Sequence, residues 1–284
     1  MKVLITGANG LFGHGLQQVF GEKHTVFPIT HADADTTNAT AVRDLFTKLQ
    51  PEIVIHTAAI PDLDICEADP AKAFLVNVEG TRNVVEAARG IGAAIAHISS
   101  DSVFDGKKTT PYIETDPTNP PTVYGRTKVQ GEEIVGTLPH HWIFRVPVLF
   151  GPGKVKFVEK GLDKLSRGEQ YIVASDQVAS AAYTLDAART MMELIEVRRY
   201  GLFHIANAGA CSRYELAQRA AILAALNPAQ VIGRPLSEMG GRAKRLPYSV
   251  MEMRALKQAG YAAPRPWEEA LEEYIGEWRE KKLK

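Results

Sequence analysis

The amino-acid sequence predicts an α/β fold, in which a doubly wound parallel sheet carries helices on both faces and a smaller C-terminal region follows. Three observations support this prediction. Over residues 1–150, five short apolar runs alternate with longer amphipathic segments, which is the pattern of consecutive βαβ units. A glycine-rich turn separates the first apolar run from the first amphipathic segment. After Gly151 the alternation weakens, and glycine and proline cluster at Gly151-Pro152-Gly153 and Pro264-Arg265-Pro266.

The predicted elements follow one another along the chain with the spacing that parallel strands and crossover helices require. The strands are expected at Lys2–Thr6, His24–Ile29, Glu52–Thr57, Ala93–Ser99 and Trp142–Leu149. The helices are expected at Leu11–Phe20, Ala41–Leu49, Ala71–Arg89, Val123–Val135, Arg213–Leu226 and Trp267–Trp278. Gly90 is the expected C-terminal cap of the third helix.

The composition excludes several classes of protein. The 33 basic residues balance the 33 acidic residues, so no net charge attracts the chain to nucleic acid or to an anionic membrane. No apolar stretch approaches the length that spans a bilayer. Cys66 and Cys211 lie outside any C-x-x-C pattern, which favours a reducing compartment. We therefore expect a cytoplasmic protein with no nucleic-acid or membrane partner and no bound metal.

The glycine-rich turn has the spacing G-x-x-G-x-x-G between a strand and a helix. Glycine allows the backbone to turn tightly and to approach a pyrophosphate, whose charge is favoured at a helix N-terminus. The segment therefore predicts a Rossmann-type dinucleotide site. Its expected cofactor-binding residues are Gly7, Asn9, Gly10, Leu11, Phe12 and Gly13.

This glycine spacing resembles that of the extended short-chain dehydrogenase/reductase family. The resemblance implies that the end of the second strand contacts the adenosine ribose, which here involves Thr30, His31 and Asp35. No carboxylate stands directly at that end, and a protonated His31 could accommodate the extra phosphate of NADP. His31 could equally be a solvated loop residue. NADPH is the preferred cofactor and NADH remains compatible, with Ala58 and Ala59 as further implied contacts.

A Y-x-x-x-K pair, Tyr124 and Lys128, lies in the predicted helix Val123–Val135. Residues four apart share one helix face, and an ammonium beside a phenol lowers the pKa of the phenol. Ser100 ends the fourth predicted strand, 24 residues before the tyrosine. In the family, a serine at this place hydrogen-bonds the substrate carbonyl, and the lysine also holds the nicotinamide ribose. Ser100, Tyr124 and Lys128 are therefore the expected catalytic residues.

Segments between these motifs are similar to the dTDP-4-dehydrorhamnose reductases, which are sugar-nucleotide reductases within that family. The similarity includes His56-Thr57-Ala58-Ala59, Ile98-Ser99-Ser100-Asp101-Ser102-Val103-Phe104-Asp105-Gly106, Asp176-Gln177 and Trp267. It implies a nucleotide-linked 4-keto-6-deoxy sugar as substrate, with Ser100, Asp101, Ser102 and Arg245 as substrate-binding residues. The chain departs from the family at Ser102, at Ala179-Ser180-Ala181-Ala182 and at Arg245-Leu246, all expected near the substrate.

The resemblance implies a domain division and leaves some alternatives open. Residues 1–150 with roughly 170–200 form the expected dinucleotide-binding domain, and roughly 151–169 and 201–284 form the expected substrate-binding region. The basic residues Arg242, Lys244 and Arg245 could bind a nucleotide diphosphate or form a solvated loop. An epimerase or dehydratase on the same scaffold is one alternative function. A non-catalytic regulatory subunit, like that of methionine adenosyltransferase, is another, and a homodimer is compatible with either.

Overall fold

A computed structural model describes residues 1–154 and 156–283 of the chain, without the side chains of residues 282 and 283. The strands in chain order are β1 (Lys2–Thr6), β2 (Thr25–Ile29), β3 (Ile53–His56), β4 (Ala94–Ser100), β5 (His141–Val146), β6 (Val148–Phe150), β7 (Tyr171–Ala174), β8 (Val178–Ala179), β9 (Ala181–Tyr183), β10 (Gly201–His204), β11 (Cys211–Ser212), β12 (Val231–Arg234) and β13 (Tyr248–Ser249).

The helices in chain order are α1 (Leu11–Gly21), α2 (Ala39–Leu49), α3 (Leu63–Ala68), α4 (Pro70–Phe74), α5 (Gly80–Ile91), α6 (Val123–Val135), α7 (Phe157–Ser166), α8 (Thr184–Glu196), α9 (Arg213–Leu223), α10 (Arg254–Gln258) and α11 (Trp267–Leu283). A π-helical turn, Leu75–Glu79, joins α4 to α5. Among these described helices, none has the length and apolar character needed to cross a membrane.

The central sheet has six parallel strands in the order β10-β5-β4-β3-β1-β2. The strand order reverses between β1 and β3, and ligands of open α/β sheets bind beyond the carboxyl ends of the strands at such a point. Helices α1 and α8 pack together on one face, and α2, α5 and α6 cover the other. Two apolar clusters fill these layers, as the alternating pattern of the sequence predicts.

The smaller region contains short sheets built from β11-β8-β13 and from β12-β7, with α7 and α9 packed beside them. One strand from the expected substrate-binding range, β10, instead pairs with β5 at the edge of the central sheet. The sheet therefore takes a strand from beyond residue 200. The functional division into two regions stays a prediction.

The predicted strand Trp142–Leu149 is wrong in its second half. The strand of the central sheet ends at Val146, and Val148–Phe150 pairs with β9 in a separate two-stranded sheet. Pro147 lies between the two pieces. Proline has no N–H to donate to a strand ladder, so the chain leaves the central sheet there.

The predicted helix Ala71–Arg89 is confirmed as a continuous helical segment from Pro70 to Ile91, but the structure adds a π-helical turn inside it and ends it two residues later. The chain forms α4, the π-helical turn and then α5, which continues to Ile91. The C-terminal cap is Gly92, whose φ of 71° lies in the left-handed region, whereas Gly90 lies within the helix. From the sequence, Gly90 and Gly92 are equally suitable as a C-terminal cap. The structure distinguishes them, because the chain turns back toward β4 at Gly92.

A buried ion pair joins α6 to the sheet. Arg145 on β5 donates through Nε to Glu132 Oε1 at 2.9 Å and through Nη2 to Oε2 at 2.7 Å, and both side chains are less than a tenth exposed. Ser99 Oγ on β4 donates to the same Oε1 at 2.5 Å. This bidentate geometry satisfies a carboxylate that burial would otherwise penalise.

The substitution Glu132→Gln should lower the free energy of unfolding by about 3 kcal/mol, because it leaves the buried Arg145 charge uncompensated. Urea unfolding measures this change. Glu86→Gln is the matched control, because it breaks an exposed pair with Arg89, and its cost should be about 0–1 kcal/mol. Equal small losses in the two variants would show that the buried pair does not hold α6 to the sheet.

Candidate active site

The glycine turn lies at the carboxyl end of β1 and packs closely against the segment that follows β3. Gly7 has a φ of 67°, and a Cβ on it would lie 2.7 Å from Thr57 Oγ1 and 2.8 Å from the Ala58 amide nitrogen. A Cβ on Gly13 would lie 2.5 Å from the Gly7 carbonyl oxygen. Glycine is therefore required at both positions, and the predicted residue Ala58 forms part of this contact, with Ala59 next in the chain.

The residues of this turn fit a dinucleotide pyrophosphate. Gly10 is the N-cap of α1 and provides no side-chain cap, and the first helical turn carries no acidic residue. The first amides of a helix have no intrahelical acceptor, so they can donate to an anion. Leu11 and Phe12 are buried and offer only their backbone, whereas the Asn9 side chain is exposed. Gln17, which the sequence analysis missed, donates to two turn carbonyls at 2.6 and 3.0 Å.

The end of β2 differs from the expectation that no carboxylate stands there. Asp33 Oδ2 accepts hydrogen bonds from both the amide and the hydroxyl of Thr30, at 2.8 and 2.7 Å, and these bonds lower the pKa of Asp33. His31 is 82% exposed, with Nδ1 3.8 Å from Asp35 Oδ1. Asp35 also accepts bonds from Thr37, which lower its pKa. The ribose end therefore holds two ionised carboxylates beside one exposed histidine.

The predicted substrate residues Ser100, Asp101 and Ser102 form one hydrogen-bonded cluster at the carboxyl end of β4. Ser100 Oγ donates to Asp101 Oδ1 at 3.0 Å and accepts from the Ser102 amide at 3.1 Å. Ser249 Oγ donates to Asp101 Oδ2 at 2.7 Å. Despite these donors, removal from water raises the pKa of Asp101. The cluster thus contains a half-buried carboxyl group next to the proposed carbonyl-binding hydroxyl.

The expectation of a lowered pKa for Tyr124 is wrong in this structure. Burial and the negative charge of Asp101 raise the pKa of the phenol, and the hydrogen bonding of Ser100 offsets this only in part. The sequence places a lysine one turn away but does not show the carboxylate that comes from β4. Tyr124 is therefore a protonated phenol at neutral pH.

Lys128 is buried on the same helix, and burial lowers its pKa from 10.5 to about 8, while Glu132 acts in the opposite direction. Its charge reaches two buried histidines, His56 on β3 and His97 on β4. Burial and Lys128 lower the pKa of His56 to about 3 and that of His97 well below 6.5. Both histidines are therefore neutral at physiological pH, and of these three side chains Lys128 is the one that carries a positive charge.

Asn77, in the π-helical turn, connects the loop after β3 to the helix that carries Tyr124. Its Oδ1 accepts from the Ile60 amide at 2.7 Å, and its Nδ2 donates to Thr127 Oγ1 at 3.1 Å. Thr127 Oγ1 in turn donates to the Tyr124 carbonyl at 2.7 Å. The role of Asn77 was not predicted, because its partners lie 17 and 50 residues away.

The N-terminus of α6 lies against the Ser100 cluster because Gly125 has no side chain. A Cβ on Gly125 would lie 2.2 Å from the Ser102 carbonyl oxygen and 2.6 Å from Pro120 Cβ. Thr122 caps the helix by accepting from the Gly125 amide at 3.0 Å, and Glu67 accepts from the Val123 amide at 2.7 Å. This close approach brings Tyr124 to the serine cluster.

A cavity of about 410 Å³ opens beside Asp101 and Ser102, between the sheet edge and the smaller region. It is lined by apolar side chains, among them Leu63, Val148, Phe157, Tyr171, Met239 and Leu246, and by two arginines, Arg213 and Arg245. Two of the three family departures, Ser102 and Leu246, face this cavity. Its size suits a small organic ligand.

The third departure, the segment 179–182, does not line the cavity. Its alanines are buried, and Ser180 Oγ accepts a hydrogen bond from the Met251 amide at 3.0 Å. The expectation that this segment contacts the substrate therefore lacks support in the fold. Within the described part of the chain, no group of three or more His, Cys, Asp or Glu side chains is arranged to hold a metal.

The fold and this site define an NAD(P)-dependent oxidoreductase of the extended short-chain dehydrogenase/reductase type. Residues 1–280 match the family described as RmlD substrate binding domain, and the chain belongs to that family.

Three known proteins illustrate the similarity. The spore coat polysaccharide biosynthesis protein SpsK of Bacillus subtilis is 37% identical over 97% of each chain. The dTDP-4-dehydrorhamnose reductase of Mycolicibacterium smegmatis is 32% identical over 96% of this chain and 85% of its own. The dTDP-4-dehydrorhamnose reductase of Bacillus anthracis, solved in complex with NADP, superimposes with a TM-score of 0.93 at 32% identity, covering 97% of this chain and 99% of its own.

The substitution Gly125→Ala should reduce turnover at least tenfold, because the new Cβ displaces the Ser102 backbone or moves Tyr124 away from Ser100. Steady-state kinetics with a keto substrate, together with thermal unfolding, measures the effect. Gly90→Ala is the matched control within α5, because a Cβ there meets no atom within 4 Å. The control should retain activity and gain up to about 1 kcal/mol from helix propensity; unchanged turnover in Gly125→Ala would contradict the role of the close contact.

Lys128→Met should stabilise the free protein at pH 7. A lysine with a pKa of about 8 when folded and 10.5 when unfolded binds fewer protons in the folded state between these values. Its contribution to stability therefore rises with pH across that window, and at pH 7 the buried charge costs on the order of 3 kcal/mol. Urea unfolding of both proteins from pH 7 to 10 should show the advantage of the variant shrinking. A constant difference across this range would contradict the lowered pKa.

Proposed function

We propose that the chain reduces the C4 ketone of a nucleotide-linked 4-keto-6-deoxy sugar, in the manner of a dTDP-4-dehydrorhamnose reductase. The observation that carries this proposal is that Ser100 hydrogen-bonds Tyr124, with Lys128 one turn further along the same helix, while Asp101 and Ser102, the next residues after Ser100, line the cavity. The names of the similar proteins support the substrate class, since they include dTDP-4-dehydrorhamnose reductases and a polysaccharide biosynthesis protein.

In this mechanism, the bound nicotinamide supplies the hydride that reduces the ketone. The Ser100 hydroxyl turns from Asp101 and donates a hydrogen bond to the carbonyl oxygen, which polarises the carbonyl. The protonated Tyr124 phenol then gives its proton to the same oxygen as the alcohol forms. Lys128, one helical turn after Tyr124, would stabilise the resulting phenolate and hold the nicotinamide ribose.

NADPH is the proposed reductant, and NADH remains compatible. The glycine turn would hold the pyrophosphate, and Thr30, His31 and Asp35 would lie at the adenosine ribose. A relative solved with NADP and the exposed His31 support NADPH. The carboxylate of Asp33 at Thr30 favours NADH, because an acidic group there can accept from a ribose hydroxyl and repels a phosphate.

The decisive experiment is to follow nicotinamide absorbance while the protein turns over a panel of nucleotide-linked 4-keto sugars, with NADPH and NADH in separate reactions. Oxidation of either cofactor with dTDP-4-keto-6-deoxy-L-mannose supports the proposal, and the ratio of the two rates tests the cofactor preference. An epimerase would interconvert sugars without net cofactor oxidation. Binding of NADPH with no turnover of any sugar would favour the regulatory subunit.

Tyr124→Phe should lower turnover at least 100-fold while leaving NADPH affinity within about threefold, because the variant keeps the ring and loses only the proton donor. Stopped-flow reduction and cofactor fluorescence titration measure the two quantities. Tyr200→Phe is the control, since Tyr200 lies at the amino end of β10, whereas the proposed site lies at the carboxyl ends of the strands. Full turnover in Tyr124→Phe would remove this residue from the mechanism.

A further inference from the structure

Arg213 lines the cavity, and no described residue accepts a hydrogen bond from its guanidinium. It is the first residue of α9, and its guanidinium carbon lies 5.4 Å from the centre of the Phe157 ring. Among the described residues, the guanidinium donates no hydrogen bond and has no carboxylate within 4 Å, whereas a hydrogen-bonded or ion-paired guanidinium is usual away from bulk water. Burial also lowers the pKa of Arg213.

The carboxyl group that influences Arg213 most is already engaged. Asp101 accepts at Oδ1 from Ser100 and at Oδ2 from Ser249, and its own pKa is raised by burial. Asp101 acts on Arg213 through its charge and forms no ion pair within 4 Å with it among the described residues. Arg213 is half-buried, so its guanidinium is only partly hydrated, and an anionic ligand that supplies acceptors there would form charge-assisted hydrogen bonds with it.

Arg245, the other arginine that lines the cavity, is already ion-paired. Arg245 Nη2 lies 2.5 Å from Asp64 Oδ2, and Asp64 Oδ1 also accepts from the Arg242 and Ala243 amides at 2.8 Å each. Arg245 is thus paired with Asp64, and the side chains of Arg242 and Lys244 are exposed. Of the two arginines that line the cavity among the described residues, Arg213 is the one without an ion-pair partner.

We propose that Arg213 binds the diphosphate of a nucleoside-diphosphate sugar, and that Arg245 contributes less because it is held by Asp64. The planar guanidinium fork matches phosphate oxygens, and the apolar walls at Phe157, Tyr171 and Met239 suit a nucleobase and its ribose. Asp101, which accepts from Ser100, lines the same cavity as Arg213, so an anion bound at Arg213 would lie on the side of the cavity that leads to the reacting carbonyl, as a sugar diphosphate requires. This inference rests on the substrate class proposed above and assigns the residue that recognises its anionic part.

Isothermal titration calorimetry tests the assignment with thymidine diphosphate, thymidine and inorganic pyrophosphate as separate probes. Arg213→Gln should weaken thymidine diphosphate binding by about 30-fold and leave NADPH and thymidine affinity unchanged. Arg245→Gln should weaken it by less than about fivefold. Arg43→Gln, an exposed change on α2 across the sheet, controls for net charge and should have no effect. The melting temperature of Arg213→Gln should be unchanged or raised, which shows that the variant folds.

Three results would overturn the assignment. The first is an unchanged affinity of Arg213→Gln for thymidine diphosphate. The second is a larger loss of that affinity in Arg245→Gln than in Arg213→Gln. The third is that Arg213→Gln weakens NADPH binding rather than thymidine diphosphate binding. Arg213→Lys gives an independent check, because it keeps the charge without the fork and should lose affinity to an intermediate degree. Because these titrations need no turnover, Arg213-dependent nucleotide binding in a protein that reduces no 4-keto sugar would retain this inference and reject the proposed function.

Discussion

The buried ion pair between Glu132 and Arg145 is the interaction on which the geometry of the site depends. Ser99, which donates to Glu132, precedes Ser100, and Glu132 follows Lys128 by one helical turn. The same carboxylate therefore holds the strand and the helix that carry the proposed catalytic residues. A buried ion pair of this kind rarely adds net stability to the fold. Any arrangement that separates the two charges is strongly destabilised, however, so the pair favours one position of its partners. We interpret the pair as a device that sets the position of α6 against the sheet.

The proposed reduction needs a proton for the carbonyl oxygen as the alcohol forms. An ordinary phenol is already protonated at neutral pH, and Asp101 and burial raise the pKa of Tyr124 further, so the free protein holds that proton on Tyr124. Lys128 is the nearby cation, since His56 and His97 are held neutral by burial and by the lysine itself. The expected pairing of a lowered tyrosine pKa with a lysine is therefore replaced here by a protonated acid beside a lysine whose pKa lies near 8. Ligand binding would change this balance by excluding water further.

The substrate side of the molecule is where the chain differs most from the family pattern. Ser102 and Leu246 face the cavity, whereas the segment 179–182 is used to build β8 and β9. The cavity combines a mainly apolar wall with two arginines in unlike states, one paired with Asp64 and one unpaired. Under the proposed function, these features would leave the hydride chemistry unchanged and affect which sugar nucleotide fits.

The sequence by itself determined the features that depend on neighbouring residues. The helix Val123–Val135 has the predicted bounds, because its cap and its apolar spacing are local, and the i, i+4 relation of Tyr124 to Lys128 follows from them. The strand–turn–helix around Gly7 is confirmed for the same reason. Only the tertiary structure decided the features that need partners distant in the chain. Asp33 folding back to Thr30 is a borderline case, three residues away, whereas the raised pKa of Tyr124 needs β4 and the pairing of Arg245 needs Asp64, 181 residues away. Hydrophobic periodicity in the sequence does not reveal contacts between residues distant in the chain, because burial and charge act through space after the chain has folded.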